Sequence, residues 1–179
     1  RDSAYGNSEA LPVTTFIQGL DDEVNKDAGA TAQAYVLWNE KGLSVYVEVK
    51  DPVLSAVHDF PFMQDSVEIF IDENNRKTTA YEDDDAQYRI SCENGQTFGV
   101  TESFPGFASA TKVIPGGYAV EAVIPFRSMT GIEGTIIGFE LQINDDQGSG
   151  RRDSIAKWND PSNDSWQSTA GFGLLKLVK

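Results

Sequence analysis

The sequence predicts an all-β fold, an antiparallel two-sheet β-sandwich. Three observations predict it. Apolar residues recur with period two far more often than with period 3.6. The alternating runs are short, and turn signals rich in glycine and asparagine separate them. No apolar stretch approaches the roughly 20 residues that a membrane-spanning helix needs. The chain has 179 residues, 40% of them apolar, the size of one domain around one core. It contains no internal repeat, no low-complexity tract and no dividing linker.

The chain opens Arg1-Asp2-Ser3-Ala4-Tyr5-Gly6-Asn7-Ser8, without the apolar core of a secretory signal. Residues 1–10 read as a linker remnant, and 1–179 as a single module cut from a longer protein. Tyr35-Val36-Leu37-Trp38 and Leu43-Ser44-Val45-Tyr46-Val47-Glu48-Val49 flank Asn39-Glu40-Lys41-Gly42 as a hairpin. Next comes Ser66-Val67-Glu68-Ile69-Phe70-Ile71-Asp72. There Val67, Ile69 and Ile71 share one face, and Glu68, Phe70 and Asp72 share the other. Further strands are expected over 87–92, 97–100, 109–114, 117–124, 136–144, 154–158 and 172–178. Asn94-Gly95 and Gly116-Gly117 mark turns between them. The one expected helical piece is a turn or two near Pro125 and Met129. Trp38 and Trp158 lie in apolar strands and read as core. Many short strands with such turns make a sandwich.

Acidic residues outnumber basic ones 28 to 14, a net charge of −14. Nucleic acid phosphates would be repelled, and nothing suggests a membrane partner. Carboxylates are also hard oxygen ligands, which makes bound calcium an expectation beside the plainer one of a solvated acidic surface. The single cysteine, Cys92, excludes an intramolecular disulfide and a thiolate metal cluster. It shares a strand face with Tyr88 and Ile90 and reads as a buried, inert thiol. The single histidine, His58, excludes a multi-histidine metal site.

Alternation places Glu68, Arg89 and Gln142 on the faces opposite the core on three strands. A carboxylate, a guanidinium and an amide suit sugar hydroxyls, which both donate and accept. Each taken singly also fits an ordinary solvent-facing strand residue. Aromatics change the weighting. Asp160-Pro161-Ser162-Asn163-Asp164-Ser165-Trp166 is a loop of turn formers ending in a tryptophan, a common binding platform. Pro61-Phe62 offers either a second ring or a plug at the entrance to the 66–72 strand.

Asp72-Glu73-Asn74-Asn75 and Tyr81-Glu82-Asp83-Asp84-Asp85 crowd oxygen donors into two loops. They repel one another unless a cation neutralises them. A solvated acidic hairpin is the equal alternative. The ligand candidates are Asp72, Asn74, Asp83 and Asp85, with Asp21-Asp22-Glu23 a lesser one.

These segments resemble the family 9 carbohydrate-binding modules found attached to xylanases. The resemblance runs from about 13 to 179. It is densest at Asp51-Pro52-Val53-Leu54, at Gln64-Asp65-Ser66-Val67-Glu68-Ile69-Phe70-Ile71-Asp72-Glu73-Asn74-Asn75 and at Tyr81-Glu82-Asp83-Asp84-Asp85-Ala86-Gln87. Gly116-Gly117-Tyr118, Trp158-Asn159-Asp160-Pro161 and Phe172-Gly173 continue it. The resemblance implies a distorted, Greek-key or jelly-roll-like sandwich stabilised by structural calcium, secreted and non-catalytic. It implies recognition of the reducing ends of cellulose and xylan, of cello- and xylo-oligosaccharides, and of glucose, xylose, cellobiose and xylobiose. An attached glycoside hydrolase is the implied partner in the parent chain. In such modules a terminal sugar slots between two tryptophan rings. Trp166 matches one; Phe62 stands where the other would be. The hydrogen-bonding positions fall on Glu68, Arg89, Gln142 and Asn163, and the calcium region matches the acidic cluster.

Three rivals remain. A glycoside hydrolase needs two carboxylates about 5–10 Å apart; Glu68 has no evident partner, and Glu121 sits in an apolar strand. A haem domain needs axial ligands, and His58 and Met63 are a poor pair. A calcium-stabilised structural or adhesion sandwich with a weakened sugar site is the serious alternative.

Overall fold

The computed structural model describes residues 2–17, 28–99 and 105–179. The Asp21-Asp22-Glu23 candidate and Val100, the expected end of one strand, lie outside the described residues. Within them, all strand pairings are antiparallel and form two sheets. One sheet contains β1 (Leu11–Val13), β3 (Thr31–Asn39), β4 (Gly42–Lys50), β9 (Gly117–Pro125) and β8 (Ala108–Ile114), side by side in that order. The other runs β2 (Thr15–Phe16), β11 (Ser154–Lys157), β10 (Ile136–Asp145), β5 (Ser66–Asp72), β6 (Asp85–Ser91) and β7 (Gln96–Phe98). β12 (Gly173–Lys176) pairs with the first half of β10, and β11 with its last four residues.

The core lies between the sheets and follows the period-two pattern. Leu43, Val45, Val47 and Val49 of β4 meet a layer that includes Val67, Ile69 and Ile71 of β5 and Leu141 and Ile143 of β10. Full burial of one such side chain stabilises by roughly 1.5–3 kcal/mol, so this alternation fixes which face of each strand turns inward. Trp38 and Trp158 are half-buried against this core, as expected. Trp38 donates its indole N–H to the Val178 carbonyl at 2.7 Å. Cys92 is buried just beyond β6, and burial pushes its thiol up to about 12, so it stays protonated and inert.

Three expectations need correction. No helix forms near Pro125 and Met129. Glu73 instead accepts the backbone N–H groups of Arg127 at 2.6 Å and Ser128 at 2.8 Å, which ties the chain into a bend. Among the described residues the helical pieces are 3-10 turns at Ser3–Asn7 and Pro61–Met63. The opening residues are more than a linker remnant: Tyr5 is buried with its ring 5.5 Å from Tyr46, and its hydroxyl donates to Glu121. Finally, the outer face of the second sheet is not solvated where Glu68, Phe70, Asp72 and Gln142 sit; all four are buried. Phe172 covers Phe70 at 5.8 Å, and Tyr81 packs edge-on against Phe172, so loops form a second, partly polar layer over this sheet. Among the described residues no helix is long and apolar enough to cross a membrane.

Candidate functional site

Register builds the site. Arg89, Glu68 and Gln142 are direct cross-strand partners on β6, β5 and β10, and Thr97 of β7 extends the row beyond Arg89. Adjacent strands hold such partners about 4.5–5.5 Å apart, so one polar row crosses four strands on the covered face. All six side chains singled out in the sequence, Phe62, Glu68, Arg89, Gln142, Asn163 and Trp166, line one cavity of about 480 Å³. Gln87, Phe98, Gly99 and Arg152 complete its wall. The volume lies within the range of small-molecule sites.

Glu68 is the hub of this wall. Its carboxylate accepts from Arg89 Nε at 2.9 Å, Asn144 Nδ2 at 2.6 Å and Gln87 Nε2 at 2.5 Å. Burial alone would push Glu68 up. The Arg89 charge and hydrogen bond, with those from Asn144 and Gln87, outweigh it and hold the carboxyl below its ordinary value. Glu68 is therefore an anion at neutral pH that orients donors around itself. Gln142 Nε2 donates to Asn144 Oδ1 at 2.9 Å, and Arg152 Nη1 donates to the same oxygen at 3.1 Å. Arg89 Nη1 donates to Thr97 Oγ1 at 3.2 Å. Each planar group is locked by a neighbour, which pre-organises the wall.

Three features face the cavity differently. Trp166 leaves 47% of its surface exposed, an apolar platform on a loop. Phe62 is 37% exposed, so it is not the plug that a strand entrance allows. The Phe60 ring stacks against it at 5.7 Å, and the Arg152 guanidinium carbon lies 5.7 Å from its centroid. Asn163 Nδ2 is buried and has no hydrogen-bond partner among the described residues. Buried donors are normally satisfied, so an orphan at a cavity wall marks a place for a ligand acceptor.

Among the described lining residues Glu68 is the one carboxylate. Glu121 lies on β9 of the opposite sheet and accepts from Tyr5. His58 Nδ1 accepts the Phe60 N–H at 2.9 Å. Gln87 and Asn144 were missed, although alternation signals both: each lies two residues from a named one on the same strand face. Arg152 lies between strands and carries no such signal. A wider groove of about 1650 Å³, lined in part by Leu11, Trp38, Trp158 and Val178, lies elsewhere and lacks this polar row.

The acidic residues gather in two places. Asp72, Asp84 and Asp85 each bring a carboxylate oxygen within 4.8 Å of the others. Of the expected ligands, Asp72 and Asp85 are thus together and Asp84 joins them. Asp83 is exposed in the turn, and Asn74 Oδ1 accepts the Arg76 N–H at 2.9 Å. Burial, with the charges of Asp72 and Asp84, pushes Asp85 up to about 6. The second group, Asp51, Asp65 and Asp145, has the same spacing and is wholly buried. Burial and the neighbouring carboxylates push Asp51 and Asp65 up. Its members are distant in sequence, which hid it.

The whole chain, residues 1–179, matches the family model described as "Carbohydrate family 9 binding domain-like". It is 50% identical over 178 residues to endo-1,4-beta-xylanase A of Thermotoga maritima and 45% identical over 177 residues to exoglucanase XynX of Acetivibrio thermocellus. Each match covers 99% of this chain and 16% of the relative, so the chain spans about a sixth of the length of these relatives. Among solved structures it is similar to a carbohydrate binding module family 9 from Caldicellulosiruptor kristjanssonii in complex with cellotriose. That match has a TM-score of 0.89 and 34% identity, covering 99% of this chain and 86% of the other. The glucose complex of a family 9 module from that organism matches with a TM-score of 0.88.

Proposed function

Because the chain belongs to the family 9 carbohydrate-binding modules, which are non-catalytic, we propose that it holds the reducing-end units of cellulose or xylan, and soluble mono- and disaccharides. Trp166 and Phe62 supply the apolar surfaces for the sugar ring. Arg89, Gln142 and Asn163 meet its hydroxyls, and Glu68 fixes the arginine and the amides. The observation that carries this reading is the meeting of an exposed indole and an orphaned buried amide donor on one cavity. Two solved structures of a family 9 module from Caldicellulosiruptor kristjanssonii hold cellotriose and glucose, which supports the same class of ligand here. In the parent chain the module raises the local concentration of an attached glycoside hydrolase on plant cell-wall polysaccharide, outside the cell.

Calcium is the structural cofactor in this reading. Hard carboxylate oxygens at this spacing suit it. Asn75 Oδ1, in the turn after Asp72, and Asp51 Oδ2 are buried acceptors without a hydrogen-bond donor among the described residues, which fits a cation beside each group.

Calorimetric titration with glucose, xylose, cellobiose and xylobiose tests the site. Borohydride-reduced cellobiose tests the end preference, since it lacks a cyclic anomeric carbon. Binding of cellobiose and loss of binding after reduction are expected. Equal binding of both removes the reducing-end proposal, and binding of none leaves a structural sandwich.

A further inference from the structure

The polar row of the pocket continues past Gln142. Its cross-strand partner on β11 is Lys157, so Thr97, Arg89, Glu68, Gln142 and Lys157 lie side by side across five strands. Lys157 is not part of the cavity wall. Its side chain is 0% exposed, a place lysines almost never take unless paired. Its ammonium donates to Asp160 Oδ2 at 3.3 Å, to the Ser162 carbonyl at 3.4 Å and to the Ser165 hydroxyl oxygen, and lies 5.6 Å from the Phe70 ring centroid. Ser165 Oγ in turn donates to Asp160 Oδ2 at 2.6 Å, and Asp160 Oδ1 accepts the Ser162 N–H at 2.8 Å.

A second carboxylate holds the root of the same segment. Glu140 of β10 accepts the backbone N–H groups of Trp158 and Asn159 at 3.0 Å and of Asp160 at 2.6 Å. One cation and two carboxylates thus fasten residues 158–165, the segment that delivers Asn163 and Trp166 to the cavity. Burial pushes Lys157 down and Glu140 up, each opposed by the charge of the other.

Burying a charged group is a poor route to stability, because an apolar side chain of similar volume usually packs as well. A methionine at 157 fills much the same space. It does not grip the Ser162 carbonyl or the Ser165 hydroxyl. The lysine is therefore explained by where it puts the loop, and rigid placement of binding groups is what a pre-formed site requires.

We propose that Lys157 is a positioning residue of the pocket: from beneath the sheet's covering layer it sets the placement of the loop bearing Asn163 and Trp166, without touching the sugar. This inference rests on the carbohydrate-binding reading above.

The test is Lys157→Met in the 179-residue chain, read by calorimetry with glucose and cellobiose and by the ¹H–¹⁵N signals of the three tryptophan indoles, with Trp166→Phe assigning the loop signal. Affinity falls about tenfold or more, and the Trp166 signal shifts or broadens. The Trp38 signal, held by the Val178 carbonyl, stays in place. Affinity within about twofold of the unaltered chain overturns the proposal, and so does an equal disturbance of all three indoles, which marks general loosening. Should Lys157→Met fail to fold, Ser165→Ala keeps the lysine and both carboxylates and cuts one anchor. It then weakens binding about threefold with the Trp166 signal moved; no change in either overturns the proposal. If the unaltered chain binds neither sugar, the carbohydrate reading itself fails, and the indole signals still decide whether Lys157 orders the loop.

Discussion

Tyr81 donates its hydroxyl hydrogen to the Ser165 carbonyl oxygen at 2.5 Å, joining the acidic hairpin to the residue just before Trp166. Nearby, Thr78 N–H donates to Thr169 Oγ1 at 2.9 Å and Thr169 N–H to the Thr78 carbonyl at 3.0 Å, so the two loops are laced at two points. Tyr81→Phe removes one part-buried hydrogen bond, worth about 0.5–1.5 kcal/mol net. Affinity for cellobiose drops roughly two- to tenfold by calorimetry, with little change in the folded-state circular dichroism.

Trp166→Ala deletes the exposed ring surface of the pocket. A central aromatic anchor of this kind costs about 2 kcal/mol or more when truncated, roughly thirtyfold in affinity. The variant keeps its melting temperature within a few degrees, because nearly half of the side chain already faces solvent. Calorimetry that finds undiminished binding removes stacking on Trp166 from the account.

Phe62→Trp enlarges the second ring. At roughly 25 cal/mol per Å², about 30 Å² of added contact strengthens binding by about 0.8 kcal/mol, or roughly fourfold. Parallel titrations with glucose and xylose measure it. Weaker binding would mean that the Arg152 and Phe60 contacts leave no room for an indole.

Glu68 links the pocket to pH. Burial raises its folded-state carboxyl, but the Arg89 charge together with the hydrogen bonds from Arg89, Asn144 and Gln87 outweighs burial and holds it below the ordinary 4.5. A depressed carboxylate contributes stability that is complete above the ordinary value and fades as pH falls through the folded one. Glu68→Gln strands the Arg89 guanidinium and costs about 3–5 kcal/mol near neutrality. The gap in melting temperature between the variant and the unaltered chain narrows below pH 4.5. A constant gap from pH 7 to pH 3 would contradict it.

Calcium bound to the folded state stabilises by mass action, about 2.7 kcal/mol at a hundredfold excess over the dissociation constant. The melting temperature rises on adding calcium and falls on adding a chelator. Asp84→Asn shrinks that response if the Asp72, Asp84 and Asp85 group holds the ion, and Asp65→Asn shrinks it if the second group does.

Period-two alternation was enough to read the sandwich, the inward faces and most of the pocket row, because register follows from which side chains are apolar. Glu68, Arg89 and Gln142 were readable for that reason. Trp166 was readable from its loop of turn formers, and Asn163 only from the family resemblance. Burial of the second face was not, because it depends on which loops fold over the sheet, and Phe172 is distant from Phe70 in sequence. Glu73 fooled the helix expectation in a similar way: its partners at 127 and 128 are more than fifty residues away. Arg152, Lys157 and the Asp51, Asp65 and Asp145 group likewise acquire their roles only through long-range contacts. A lysine in a short strand carries no mark of the loop it holds.

Cys92 gives the chain a chemical clock. As its one thiol, protonated and shut between the sheets, it stays out of reach of an alkylating reagent until the edge of β6 comes away from its neighbours. The rate of covalent labelling in native buffer therefore reads how often that edge opens, and a saccharide held, as proposed, through Arg89 of that strand is expected to slow the count.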